Sequence, residues 1–183
     1  MLRRTSVVIT TTGASGLTAL SPVSSPTFAT KVLDVPFTQF ATDLATGALP
    51  DYVFIVPDLC NDAHDCPLRR ADSWLKNNID PLVRSTTFQE DGLLLLLFDE
   101  SGRDHTHGGG RIACVIVSPK ARRRYQSTTF YQHQSLLRLS LKALGVTAFP
   151  NAAASAPDMD EFFEPTGLEN TPRVATALHP HAR

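Results

Sequence analysis

Residues 92–100 read Gly-Leu-Leu-Leu-Leu-Leu-Phe-Asp-Glu, an unbroken apolar run that empties into two adjacent carboxylates. Such a run is too short for a typical globular helix and suits a strand buried on both faces. Tyr52, Val53, Phe54, Ile55 and Val56 form a second run of the same kind, and residues 112–117 form a third. Around them apolar residues recur at helical spacing. Phe37, Phe40, Ala41, Leu44 and Ala48 make one set, with Gly47 and Pro50 as a stop. Ala71, Trp74, Leu75, Ile79, Leu82 and Val83 make another, with Pro81 tightening its last turn. Leu136, Leu137, Leu139, Leu141 and Leu144 mark a final helix ending at Gly145. The pattern predicts an α/β fold: a mixed, largely parallel sheet flanked by helices.

The chain has 183 residues, 17 Lys+Arg against 18 Asp+Glu, and a formal net charge of −1. That balance argues against a general electrostatic grip on nucleic acid or an anionic membrane. No run approaches the ~18 apolar residues of a membrane-spanning helix. Residues 5–30 carry no charge, and twelve of those 26 are Ser or Thr. The expectation for residues 1–32 is therefore a disordered lead-in or a weak secretory signal, with Leu2-Arg3-Arg4 as its charged start. Residues 33–163 read as the folded part. Residues 164–183, with Pro165, Pro172 and Pro180, read as a flexible tail.

The chemistry gathers where strands end. The run 52–56 leads into Asp58, Cys60, Asn61, Asp62, His64 and Asp65, and the leucine run into Asp99, Glu100, Asp104, His105 and His107. Ligand crevices in open α/β sheets lie outside the carboxyl ends of the strands, so parallel neighbours would deliver both clusters to one place. Carboxylates and imidazoles gathered there are what a divalent cation requires. Asp99 beside Glu100 is the more pointed case, because adjacent carboxylates repel each other unless something cationic compensates. Of the two loop histidines, His107 is the better candidate, ahead of a glycine triplet, Gly108 to Gly110, that is no P-loop. His133 reads as structural. Cys60 and Cys66, with five residues between them, fit either a small disulfide brace or two free thiols. Cys114, inside the third strand, reads as a buried filler. The one basic run, Lys120 to Arg124, reads as a solvated loop.

Several ordered segments carry a resemblance. They are Val35-Pro-Phe-Thr-Gln-Phe40, Asn61-Asp-Ala-His-Asp65, Phe98-Asp-Glu100 and Thr106-His-Gly-Gly-Gly-Arg111. Val117-Ser-Pro119, Tyr131-Gln-His-Gln-Ser-Leu-Leu-Arg138 and Ala156-Pro-Asp-Met-Asp-Glu-Phe-Phe163 follow in order. Together they resemble the phosphoesterase family of bacterial non-specific phospholipases C and acid phosphatases, within the alkaline-phosphatase-like superfamily. The resemblance implies part of an α/β/α sandwich and metal-assisted hydrolysis of a phosphomonoester or phospholipid. It places a divalent metal ion on Asp99 and Glu100, and His64, His107 and Asp62 at the catalytic centre. It implies a secreted or periplasmic protein. The family's Glu-Asn metal pair and its Ser or Thr nucleophile match nothing here, so the expectation is the carboxyl-terminal half of such an enzyme, with little activity alone. The rival expectation is a non-catalytic metal- or anion-binding remnant of that fold.

Overall fold

The computed structural model describes residues 6–9, 16–22 and 30–164, with side chains from residue 35 onward. Its centre is a six-stranded sheet. The strands are β1 (Ser6–Ile9), β2 (Gly16–Pro22), β3 (Thr30–Val35), β4 (Tyr52–Val56), β5 (Leu93–Leu97) and β6 (Cys114–Val117). They lie in the order β3-β2-β4-β1-β5-β6. β1 pairs parallel with β4 and with β5, while β2 pairs antiparallel with β3 and β4, and β6 antiparallel with β5.

Two expectations change here. The sheet is mixed but not largely parallel, since three of its five pairings are antiparallel. The physical reason is that β2–β3 and β5–β6 need no helical crossover, whereas parallel neighbours do. The stretch 1–32, expected as a disordered lead-in or a weak secretory signal, contributes β1, β2 and the start of β3 among the described residues. Its Thr and Val residues have the β-branched shape that suits a pleated sheet even where hydrophobic content is low.

The helices follow the apolar spacing with one division. α1 (Thr38–Thr46) closes at Gly47, whose φ of +67° lets its N–H reach the carbonyls of Asp43 and Leu44. The single helix expected around residues 71–83 is two: α2 (Leu68–Asn78) and α3 (Asp80–Arg84). Pro81 lies in the first turn of α3, where its missing N–H costs nothing. An unforeseen helix, α4 (Thr86–Asp91), is capped by the Ser85 hydroxyl, which accepts from the Phe88 N–H at 3.3 Å. α5 (His133–Ala143) comes after the sheet.

The alternation of β4 and β5 divides the core between the two faces of the sheet. Val53, Ile55 and Leu94 pack with Phe40, Ile79, Leu82 and Phe88 from the helical side before β5. Leu93, Leu95 and Leu97 pack with Leu136 and Leu139 of α5 and with Met159. Helices thus cover both faces: β5 is buried on each side, while β4 buries Val53 and Ile55 on one face and half-buries Tyr52, Phe54 and Val56 on the other. At the sheet edge, Cys114 is an exposed free thiol rather than a buried filler. Among the described residues no helix is long and apolar enough to cross a membrane.

Candidate functional site

β4 and β5 are parallel to each other but not neighbours, because β1 runs between them. Their carboxyl ends therefore open on the same edge of the sheet, about two strand spacings, roughly 10 Å, apart. Each end carries one of the polar clusters.

The loop after β4 is built by its own side chains. Asp58 accepts from the N–H groups of Cys60 (3.1 Å) and Asn61 (3.0 Å) and from the Asn61 amide (2.6 Å). Desolvation pushes the Asp58 carboxyl up, but these hydrogen bonds outweigh it and hold the group below its ordinary value. Arg70 donates to the Asn61 side-chain oxygen at 2.9 Å. A disulfide joins Cys60 to Cys66 and settles the pairing the sequence left open. Inside that ring Ala63 sits at φ +72°. Asp62 is buried, and its Oδ1 accepts from the His64 N–H at 2.8 Å. Its Oδ2 has no hydrogen-bond partner among the described residues.

His64 projects to solvent and its Nδ1 lies 2.8 Å from Asp65 Oδ1. This hydrogen bond raises the His64 pKa above the usual 6.5, the Asp65 charge raises it further, and the charges of Asp62 and Asp99 add to the shift. The influence of Asp99 matters most for the layout: a carboxylate at the end of β5 acts on an imidazole beyond the end of β4. Asp62 and Asp99, two of the expected site residues, thus each act electrostatically on a third, His64.

The loop after β5 folds back on the acidic pair. Ser101 N–H donates to the Gly109 carbonyl at 2.7 Å, and a Cβ on Gly109 would come within 3.6 Å of the Glu100 Cβ. Asp99 and Glu100 are both exposed, and Asp99 Oδ1 accepts from the Glu100 N–H at 2.9 Å. Asp104 organises the rest. It accepts from the Thr106 hydroxyl, from the Thr106 N–H at 3.0 Å and from the Arg111 N–H at 3.0 Å. The Thr106 hydroxyl, then these N–H groups, lower the Asp104 pKa, with His107 adding its charge. His107 takes a positive φ of 56°, and its ring packs on Phe130 at 4.9 Å between centroids.

His133 has a part that sequence reasoning missed. Its Nε2 lies 2.7 Å from the Asp99 carbonyl oxygen, which can only accept, so the proton is on Nε2. No local pattern signals a contact across 34 residues. The residues expected to hold a metal give a partial answer. Among the described residues no group of three or more His, Cys, Asp or Glu side chains is placed to hold an ion. Asp99 and Glu100 offer carboxylate donors, short of the set a divalent cation takes. Lys120, in the basic run, is ion-paired with Asp91, and Arg122 N–H donates to the Phe162 carbonyl at 2.8 Å. His179 and His181 lie outside the described residues.

A sequence model of the Phosphoesterase family matches residues 17–147. The match begins sixteen positions before residue 33 and so takes in β2 and β3. An acid phosphatase of Aspergillus fumigatus is 36% identical over 104 residues, 55% of this chain and 23% of that protein. A probable acid phosphatase of Kluyveromyces lactis is 35% identical over 105 residues, 55% of this chain and 24% of that one. The phosphate-repressible acid phosphatase of Penicillium chrysogenum is 35% identical over 104 residues, 25% of its length. The aligned segment is thus about a quarter of each of these relatives. With more than half of its residues matched to the family, this chain belongs to the Phosphoesterase family.

Proposed function

We propose that the chain serves phosphate-ester hydrolysis, with phosphomonoesters as the substrate class, and that the crevice at the ends of β4 and β5 receives the phosphate. The observation that carries this reading is the placement of His64, its ring nitrogen 2.8 Å from the Asp65 carboxylate and its backbone N–H held by the buried Asp62, an arrangement that raises its pKa. Hydrogen bonding and negative charge beside an imidazole both favour its protonated form. As imidazolium it can donate to a phosphate oxygen, or deliver its proton to the leaving alcohol as the P–O bond breaks onto that oxygen. Asp65 engages Nδ1 and so leaves Nε2 as the nitrogen that faces outward chemistry. Asp62 fixes the backbone beneath His64. His107, held against Phe130, is the second imidazole of the reading.

Asp99 and Glu100 are the donors this chain would contribute to a divalent cation. A bound cation supplies charge neutralisation at phosphorus. Because the described donor set is incomplete, no step here depends on it. Nor is the attacking oxygen assigned to a described residue; the Thr106 hydroxyl is engaged by Asp104. The acid phosphatase names of the relatives favour phosphomonoesters over phospholipids as substrate. The Cys60–Cys66 disulfide supports an exported protein, since such bonds persist in oxidising compartments.

The test is binding and turnover measured side by side. Inorganic phosphate should broaden and shift its own 31P resonance with the wild-type chain at pH 5.5. His64→Ala should weaken that binding about tenfold or more, as expected for a charge-assisted hydrogen bond of roughly 1.5–3 kcal/mol. A chromogenic phosphomonoester should turn over slowly or not at all. Rapid turnover that survives His64→Ala would overturn the assignment of the site.

A further inference from the structure

We propose that a cavity of about 230 Å³ at the amino-terminal end of α5 is a binding subsite for a small neutral hydroxylated group, the alcohol portion of a phosphate ester. The proposal rests on the reading above and extends it to what lies beyond the phosphate. Phe130, Gln132, Gln134, Ser135, Ser155 and Pro157 line the cavity. No Asp, Glu, Lys, Arg or His is among its lining residues. Carboxamides and hydroxyls both donate and accept, which is what a polyol needs, and an aromatic or proline wall suits its C–H faces.

Three further observations point to a ligand. Ser135 is 1% exposed, and its hydroxyl has no hydrogen-bond partner among the described residues. A buried hydroxyl left in that state is costly. No side chain caps α5, so polar groups of its first turn are open to an outside partner. The segment that carries Ser155 and Pro157 is held in advance: Arg138 donates to the carbonyls of the preceding Ala153 and Ala154 at 3.2 and 3.0 Å. A pre-formed wall spares the ordering cost of binding.

Position ties the cavity to the phosphate crevice. Phe130, one of its walls, packs on the His107 ring. His133, between Gln132 and Gln134, holds the Asp99 carbonyl. A substrate with its phosphate near His64 and Asp99 would extend its alcohol past His107 into this space. The volume corresponds to roughly seven or eight waters at ~30 Å³ each, room for a short polyol or one monosaccharide.

Saturation-transfer NMR with D-glucose alone, on the whole chain, tests this without any catalytic readout. The wild type should transfer magnetisation to the sugar, and Gln134→Leu should reduce the effect at least threefold. Gln132→Leu and Ser155→Ala alter exposed positions and should reduce it too, which guards against a folding defect in the first variant. Phosphate binding, followed by 31P NMR, should stay within twofold in all three. Absence of transfer in the wild type, or equal transfer in all the variants, overturns the subsite even where phosphate still binds. Phosphate that displaces glucose competitively, or that is lost in Gln134→Leu, also overturns it by making the cavity an anion site. Glucose binding with no phosphate binding would retain the cavity as a hydroxyl-binding site and remove the phosphoesterase reading instead.

Discussion

A methyl group at residue 110 would meet the Asp104 carbonyl oxygen at 2.2 Å, in a backbone already at φ +72°. At residue 108, φ is +95° and nothing lies within 4 Å. The two glycines share the left-handed conformation but only one shares the crowding. Gly108→Ala should cost about 1–2 kcal/mol from the backbone alone. Gly110→Ala should cost measurably more in the same thermal melts, because it also drives Asp104 away from Thr106 and Arg111. Equal losses would contradict the packing of this loop. The sequence shows the triplet as permissive; which glycine is indispensable depends on Asp104 folding back six residues later, and no local pattern carries that. The same holds for His133. It reads as structural from its place before a helix, and only the tertiary fold sets it against Asp99.

Elements are legible where burial is two-sided. The runs 52–56 and 93–97 announce β4 and β5 because both their faces are covered, and α1 announces both its period and its stop. α4 is invisible because Phe88 is its one apolar residue; its cap, not its period, defines it. The β4–α2 loop carries a disulfide that a spacing of five residues could not settle. Cys60→Ser should cost about 2 kcal/mol on the chain-entropy estimate for so small a ring, read from the denaturant midpoint. The change should also raise amide exchange at His64, whose N–H is held by Asp62. Unchanged exchange would mean that Asp58 alone maintains the loop.

A second element-scale clamp ties the segment after β6 to the short 3-10 turn Asp160–Phe162. Glu161 accepts from the Ser127 hydroxyl (2.6 Å), Tyr125 (2.6 Å) and Tyr131 (2.5 Å). These bonds, Ser127 first, hold its carboxyl down at about 2 against an ordinary 4.5. The sign follows: a depressed folded pKa contributes stability above pH 4.5 that is lost as pH falls towards about 2. The melting temperature of the wild type should therefore fall more steeply across that window than that of Glu161→Gln. Parallel curves would show that the three hydroxyls do not hold the charge.

At the scale of the whole molecule, the sheet order explains what a linear reading gets right and what it misses. That both polar clusters follow apolar strands is visible in the sequence, and so is their shared destination. That β1 separates the two strands is not, because Ser6–Ile9 sits in a Ser/Thr-rich stretch with no hydrophobic period. The antiparallel edges on either side are equally silent, since pairing direction is decided by connections and not by composition. The claim on which the rest stands is that the ends of β4 and β5 make one phosphate-binding crevice. NMR titration of the His64 ring measures it most directly. The His64 pKa should lie above 6.5 in the wild type, fall in Asp99→Asn, and rise further with inorganic phosphate. A His64 pKa unmoved by Asp99→Asn and by phosphate would contradict it.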